Sequence, residues 1–244
     1  MDKDKDIIGL LLAGITVNCR ITYPESAKFF RHYSVKPEKG MIPAGLDRED
    51  LYQIKKQYPA DQPPAVSEIK MLSVILSDAL LPYGRVIVHA VAFVYRNRAW
   101  LLTAPSGTGK TTLYRNLKQG WPKEITALCG DNPILQFMED GTVLVHHSPW
   151  NGKEGYGSKM TSPLAGIILL EQSDRNNITL LSAPDAVLPM FFQINTFLKN
   201  EEHVHLVCRM EEAVLMGFPI WRFSNLGDMD AARMAYRLIE DYSS

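Results

Sequence analysis

The residues Ala104, Pro105, Ser106, Gly107, Thr108, Gly109, Lys110, Thr111 and Thr112 have types and spacing suited to binding phosphate. They match the phosphate-binding loop pattern of a Gly or Ala, four free positions, Gly-Lys and a Ser or Thr. Gly107 and Gly109 open backbone conformations closed to residues with a Cβ, so that successive N–H groups can converge on phosphate oxygens at the positive end of the following helix. Lys110 is placed to reach β- and γ-phosphates, and the Thr111 hydroxyl to hold Mg²⁺. The flanks supply the required context. Residues 99–103 form a short apolar strand, and Leu113, Tyr114 and Leu117 recur at helical spacing. A coincidental Gly-rich turn is the bland alternative to this nucleotide cradle.

Phosphoryl transfer also needs a carboxylate to orient or deprotonate the acceptor. Asp131 is the best candidate, because a strand over 125–129 lying beside the loop strand would deliver it next to the phosphates. Gly130, Asp131, Asn132 and Pro133 also read as a plain turn, since all four residue types favour turns. His89 is predicted mid-strand, sharing a face with Ile87, Val91 and Phe93, where a histidine is usually a satisfied core residue. His146 and His147 point to opposite faces of a strand and cannot share one metal ion, and His203 and His205 fail for a similar reason on a helix. A polar, Gly-rich stretch over 148–162 is long enough for an active-site lid. Within it Lys153 could close on the γ-phosphate or the acceptor, and Trp150 could stack on a base or a peptide; a solvated loop is the alternative.

The elements that must position these groups follow from pattern. An apolar run over 7–17 reads as one buried strand; it is too short to span a bilayer and lacks the basic flank of a signal peptide. Thr22 with Glu25 has the form of a capping box before a helix over 24–33, a loop covers 34–46, and a second helix runs from Asp47 to about Gln57. The proline-rich stretch 58–64 is the best boundary between a small N-terminal α+β region, 1–64, and a catalytic unit, 65–244. Beyond it, Ile69, Leu72, Leu76 and Leu80 mark a helical face. Residues 85–95 and 99–103 then form a hairpin running into the cradle, an unusual entry for a nucleotide-binding layout. Further strands are predicted over 125–129, 133–138, 142–146, 164–171, 178–181 and 219–223. Helices are predicted from Ser182 through about Leu198, over 201–216 and over 228–242. The fold class is α/β, a mixed sheet flanked by helices.

The chain has 244 residues, 46% of them apolar and 22% charged, with a net charge of −1, which describes a soluble globular protein with no basic excess for nucleic acid. Its three cysteines, Cys19, Cys129 and Cys208, have no paired spacing, so neither a disulfide framework nor a zinc knuckle is supported, and a reducing cytoplasm fits.

His89, the hairpin, the stretch from Leu101 to Thr112 and the run Ala127-Leu-Cys-Gly-Asp131 together resemble the catalytic domain of HPr kinase/phosphorylase, which shares its fold with phosphoenolpyruvate carboxykinases. In that family a strand histidine precedes the loop by about this distance, and an acidic pair follows at a strand end. The resemblance covers roughly 87–220. It implies that Asp131 acts as acid/base on a serine hydroxyl, that Lys110 binds phosphates, that Thr111 and Asp131 serve Mg²⁺, and that His89 lies near the transferred phosphate. It implies a hexamer as well. The second acidic position is Asn132, which weakens metal binding or the reverse phosphorolysis. The segment 148–155 with 163–171 looks more like the small HPr-kinase-like proteins associated with ribosomally made peptides, some of which phosphorylate a serine of a precursor, so HPr itself is a doubtful substrate. The expectation is an ATP- and Mg²⁺-dependent kinase acting on a serine of a peptide or small protein, with no membrane or nucleic-acid partner. The rivals are an NTP-hydrolysing switch using Glu171 and a nucleotide-binding regulatory protein without turnover.

Overall fold

The computed structural model describes residues 7–45, 62–152 and 155–243, which form a mixed α/β fold. The apolar run near the start is a hairpin rather than one strand. β1 (Ile7–Leu12) pairs antiparallel with β2 (Ile15–Arg20) from Ile7↔Arg20 to Leu12↔Ile15. Ala13 and Gly14 turn between them with φ of 45° and 80°, the pair of positive values a two-residue hairpin loop requires. Only the glycine marks that turn in the sequence. α1 (Pro24–Phe30) is shorter than predicted, and the capping box is not formed. The N–H groups of Thr22 and Tyr23 go instead to the carboxylate of Glu68, a fully buried residue, at 2.7 and 3.2 Å. Within the predicted loop, β3 (Ser34–Val35) and β4 (Ile42–Gly45) complete a four-stranded sheet of order β3-β1-β2-β4. The helix predicted over 47–57 lies outside the described residues.

α2 (Pro64–Leu80) opens on prolines, whose missing N–H groups cost nothing in a first turn. Its Leu72, Leu76 and Leu80 recur along one face and pack with Leu10, Leu12, Val17 and Phe30, in a core that also takes in Ile87, Ile134 and Trp150.

The larger sheet has nine strands. They are β5 (Arg85–Ile87), β6 (Ala90–Tyr95), β7 (Arg98–Thr103), β8 (Thr126–Cys129), β9 (Ile134–Phe137), β10 (Val143–His146), β11 (Thr161–Gln172), β12 (Asn177–Leu180) and β13 (Ile220–Asn225). Its main path is β5-β9-β10-β11-β7-β6-β8, with β13 on β11 and β12 on β13. The predicted hairpin is β6 and β7, turned at Arg96 and Asn97, both with positive φ.

Alternation along the strands sorts their side chains onto two faces. Val91, Phe93, Tyr95, Trp100, Leu102, Ile168 and Leu170 lie under α3 (Lys110–Gly120) and α6 (Met229–Tyr242). Ala90, Ala92, Val94, Leu101, Ile167 and Leu169 lie under α4 (Ala183–Phe191) and α5 (Glu201–Gly217). Helices on both faces explain why these strands read as continuous apolar runs. α4 stops at Phe191 rather than near Leu198, because the backbone beyond it bonds to β5 and to His89: Asn195 N–H donates to Ile87 O at 2.9 Å. Among the described residues no helix is long and apolar enough to cross a membrane.

Candidate functional site

Three chain segments meet at one edge of the large sheet, and strand direction dictates that they do. β7 and β8 are each antiparallel to β6, so they run the same way and end at the same edge, where β6 begins. The Gly-rich loop follows β7, Asp131 follows β8, and His89 immediately precedes β6. β8 is therefore not beside the loop strand as the sequence suggested; β6 lies between them. Asp131 is delivered to the site because two antiparallel steps restore the direction. His89 is also displaced from its predicted place. It sits in the break between β5 and β6, where it is held by its backbone: its N–H donates to Gln193 O at 2.7 Å, and its carbonyl accepts from the Thr103 hydroxyl at 2.8 Å.

The side chains form a chain of contacts. Lys110 Nζ lies 2.9 Å from His89 Nε2, and His89 Nδ1 lies 3.1 Å from Asp131 Oδ1. An ammonium only donates, so Nε2 accepts from Lys110 and the proton on Nδ1 faces the carboxylate. Lys110 also donates to Ala104 O at 2.7 Å and to Pro105 O at 3.2 Å. Lys110 is only 7% exposed. Burial pulls its pKa down to about 8, against the opposing pull of Asp131.

The cradle residues suit a polyphosphate. Gly107 and Gly109 have φ of 85° and 106°, and a Cβ on either would meet nothing within 4 Å, so the space beside them is open. α3 starts at Lys110 with Gly109 as its N-cap and no capping side chain, which leaves its first-turn N–H groups to an outside acceptor. The adjoining cavity of about 440 Å³ is lined by His89, Ser106, Lys110, Thr111, Asp131 and neighbouring residues. For a metal, Thr111 and Asp131 share that cavity, whereas no group of three or more His, Cys, Asp or Glu among the described residues could hold one. This donor set suits Mg²⁺, which takes one or two protein ligands and completes its shell with phosphate oxygens and water.

Other candidates separate from the site. Lys153 lies outside the described residues. Trp150 is not a stacking platform: it is 5% exposed and its Nε1–H donates to Ile69 O at 3.0 Å. Its segment is no free lid at its ends, since Ser158 N–H donates to Leu128 O at 3.2 Å and Gly157 bridges Cys129. His146 lies between Gln136 Oε1 at 2.7 Å and Thr161 Oγ1 at 2.9 Å, and burial beside Arg85 lowers its pKa to about 4. His147 rests on Tyr33, and His203 lies 3.9 Å from Asp78. Glu171 accepts from the Ser224 hydroxyl and lies 3.8 Å from Arg222, both on β13. Asn132 is buried, its Oδ1 accepting from Asn195 Nδ2 at 3.3 Å.

Sequence reading missed the support behind the site, namely Thr103, Gln193 and Asn195. Their contacts join positions far apart in the chain, which no local pattern signals.

No protein-family model and no curated protein matches the chain. Among solved structures it is similar to the HPr(Ser) kinase/phosphatase from Coxiella burnetii, at a TM-score of 0.34 and 11% identity, covering 63% of this chain and 98% of that one. A likeness so slight carries no weight for function.

Proposed function

We propose that the chain is an ATP- and Mg²⁺-dependent kinase that transfers the γ-phosphate to a hydroxyl, most simply a serine of a peptide or small protein. The observation that carries this reading is the meeting of an anion cradle, a buried lysine and an imidazole-held carboxylate at one sheet edge.

In this reading the backbone of residues 105–109 and the first turn of α3 grip the triphosphate, and Lys110 leaves its loop carbonyls for phosphate oxygens. Thr111 and Asp131 would hold Mg²⁺, which would supply charge neutralisation on the transferred group. Asp131 receives the proton of the acceptor hydroxyl. His89 fixes that carboxylate through Oδ1 and leaves the second oxygen for the acceptor. One bond forms between the acceptor oxygen and the γ-phosphorus. The bond from that phosphorus to the β,γ-bridging oxygen breaks, and its electron pair leaves on ADP.

The test is incubation of the purified chain with γ-labelled ATP, Mg²⁺ and a serine-containing peptide mixture. Label on serine supports the kinase. Acceptor-independent phosphate release that depends on Glu171 replaces it with a hydrolase, and tight ATP binding with neither outcome replaces it with a binding protein.

A further inference from the structure

We propose that Trp150 is a positioning residue for Asp131, and that through it the N-terminal sheet with α1 and α2 keeps the site in register; this rests on the phosphoryl-transfer reading above. The two ends of the residue belong to different parts of the molecule. The indole is set in the N-terminal core, its ring 5.5 Å from that of Phe30 and 6.3 Å from that of Phe29, and its Nε1–H donates to Ile69 O on α2 at 3.0 Å. Its backbone is bound to the turn that carries Asp131. The carbonyl oxygen accepts from Asn132 N–H at 3.2 Å and from the Cys129 thiol at 3.3 Å, while Ser148 Oγ receives its N–H at 3.2 Å.

Cys129 and Asn132 bracket Gly130 and Asp131, so Trp150 grips the turn on both sides. The following residues leave the turn no room to slide. A Cβ on Gly130 would lie 2.3 Å from Asn151 O, and one on Gly152 would lie 3.8 Å from the Cβ of Asp131. Packed interiors transmit displacement rather than absorb it. A shift of the indole is therefore passed to the 3.1 Å contact between Asp131 and His89. The hydrogen bonds and ring contacts of Trp150 described above go to the N-terminal core and to the turn that carries Asp131, so its effect is expected on the carboxylate rather than on nucleotide binding.

The experiment uses the full chain with Trp150→Phe, which keeps a ring and drops the Nε1–H bond, and Trp150→Leu, which removes both. Two readouts are taken: amide hydrogen exchange, which needs no acceptor, and label transfer from ATP to the peptide mixture. In Trp150→Leu, exchange at the Asn132 amide rises about tenfold while the amides of α3 keep their wild-type rates. Transfer turnover falls about tenfold with the KM for ATP within about twofold, and Trp150→Phe lies between. Wild-type exchange at Asn132, or exchange rising equally through β6, β7 and α3, overturns the proposal by showing no link or a general loss of stability. If the wild type transfers no label yet Asn132 responds as stated, the kinase reading fails and the positioning link stands.

Discussion

Lys110 uses its ammonium three times, on His89 Nε2, Ala104 O and Pro105 O, and in the proposed function the two carbonyl bonds are exchanged for bonds to a polyphosphate. Hydrogen bonds to a charged group contribute about 1.5–3 kcal/mol each. Lys110→Ala is therefore expected to weaken ATP binding by about ten- to a hundredfold in a titration, and an unchanged affinity would remove the loop from the site. A different residue sets the pH response of the fold. The folded-state pKa of His146 is about 4, below its usual 6.5, because burial disfavours the imidazolium. Between those values the unfolded chain binds more protons, so stability is lost as pH falls from about 6.5 towards 4 and is fully present above that window. Replacing His146 with Gln is expected to flatten the pH dependence of the urea midpoint across the window; a slope equal to wild type would contradict this. That the Gly-rich loop and Asp131 come to one place was legible in the sequence because the loop pattern and the strand before Asp131 are local signals. Trp150 was misread because its partners, Phe30 and Ile69, lie far away in the chain and only folding brings them to it.

Elements act through direction and close approach. The sequence places the turn of the hairpin and the loop after it, yet it runs one strand through His89 where the chain breaks into β5 and β6, and it puts β8 next to β7, because strand breaks and strand order are set by pairings that leave no local mark. The outcome at the site is the same only because parallel direction is restored across β6. The Gly130 turn shows how tightly the elements are set. Gly130→Ala forces a Cβ against the Asn151 carbonyl at 2.3 Å, a backbone atom that cannot rotate away. Overpacking of this kind costs about 1–3 kcal/mol, and is expected as a lowered denaturation midpoint together with lost transfer. Gly107→Ala differs in kind. Nothing lies within 4 Å of its Cβ, but its φ of 85° strains any L side chain by about 1 kcal/mol. Phosphate affinity is expected to fall, with a smaller drop in the unfolding midpoint than in Gly130→Ala. Equal effects of the two substitutions in both assays would contradict the distinction.

At the scale of the whole molecule, the core of the N-terminal sheet is shared. Leu72, Leu76 and Leu80 of α2, with Ile87, Ile134 and Trp150, pack against Leu10, Leu12, Val17 and Phe30. A chain beginning at residue 65, the boundary suggested by the prolines, leaves those side chains in water. It is expected to lose cooperative urea unfolding, and a sharp transition at the wild-type midpoint would show that the part from residue 65 onward folds alone. The prolines were visible in the sequence; the apolar surface shared across them was not, because it is assembled from both sides of the boundary. The central claim is that one carboxylate, held by His89 beside the cradle, is required for transfer, while the grip on the triphosphate itself comes from the loop and Lys110. Asp131→Asn tests it most directly. ATP affinity measured by titration without Mg²⁺ is expected to stay within about threefold of wild type, while transfer of the γ-phosphate to serine with Mg²⁺ present falls by at least about a hundredfold. Transfer by the variant at the wild-type rate would contradict the account.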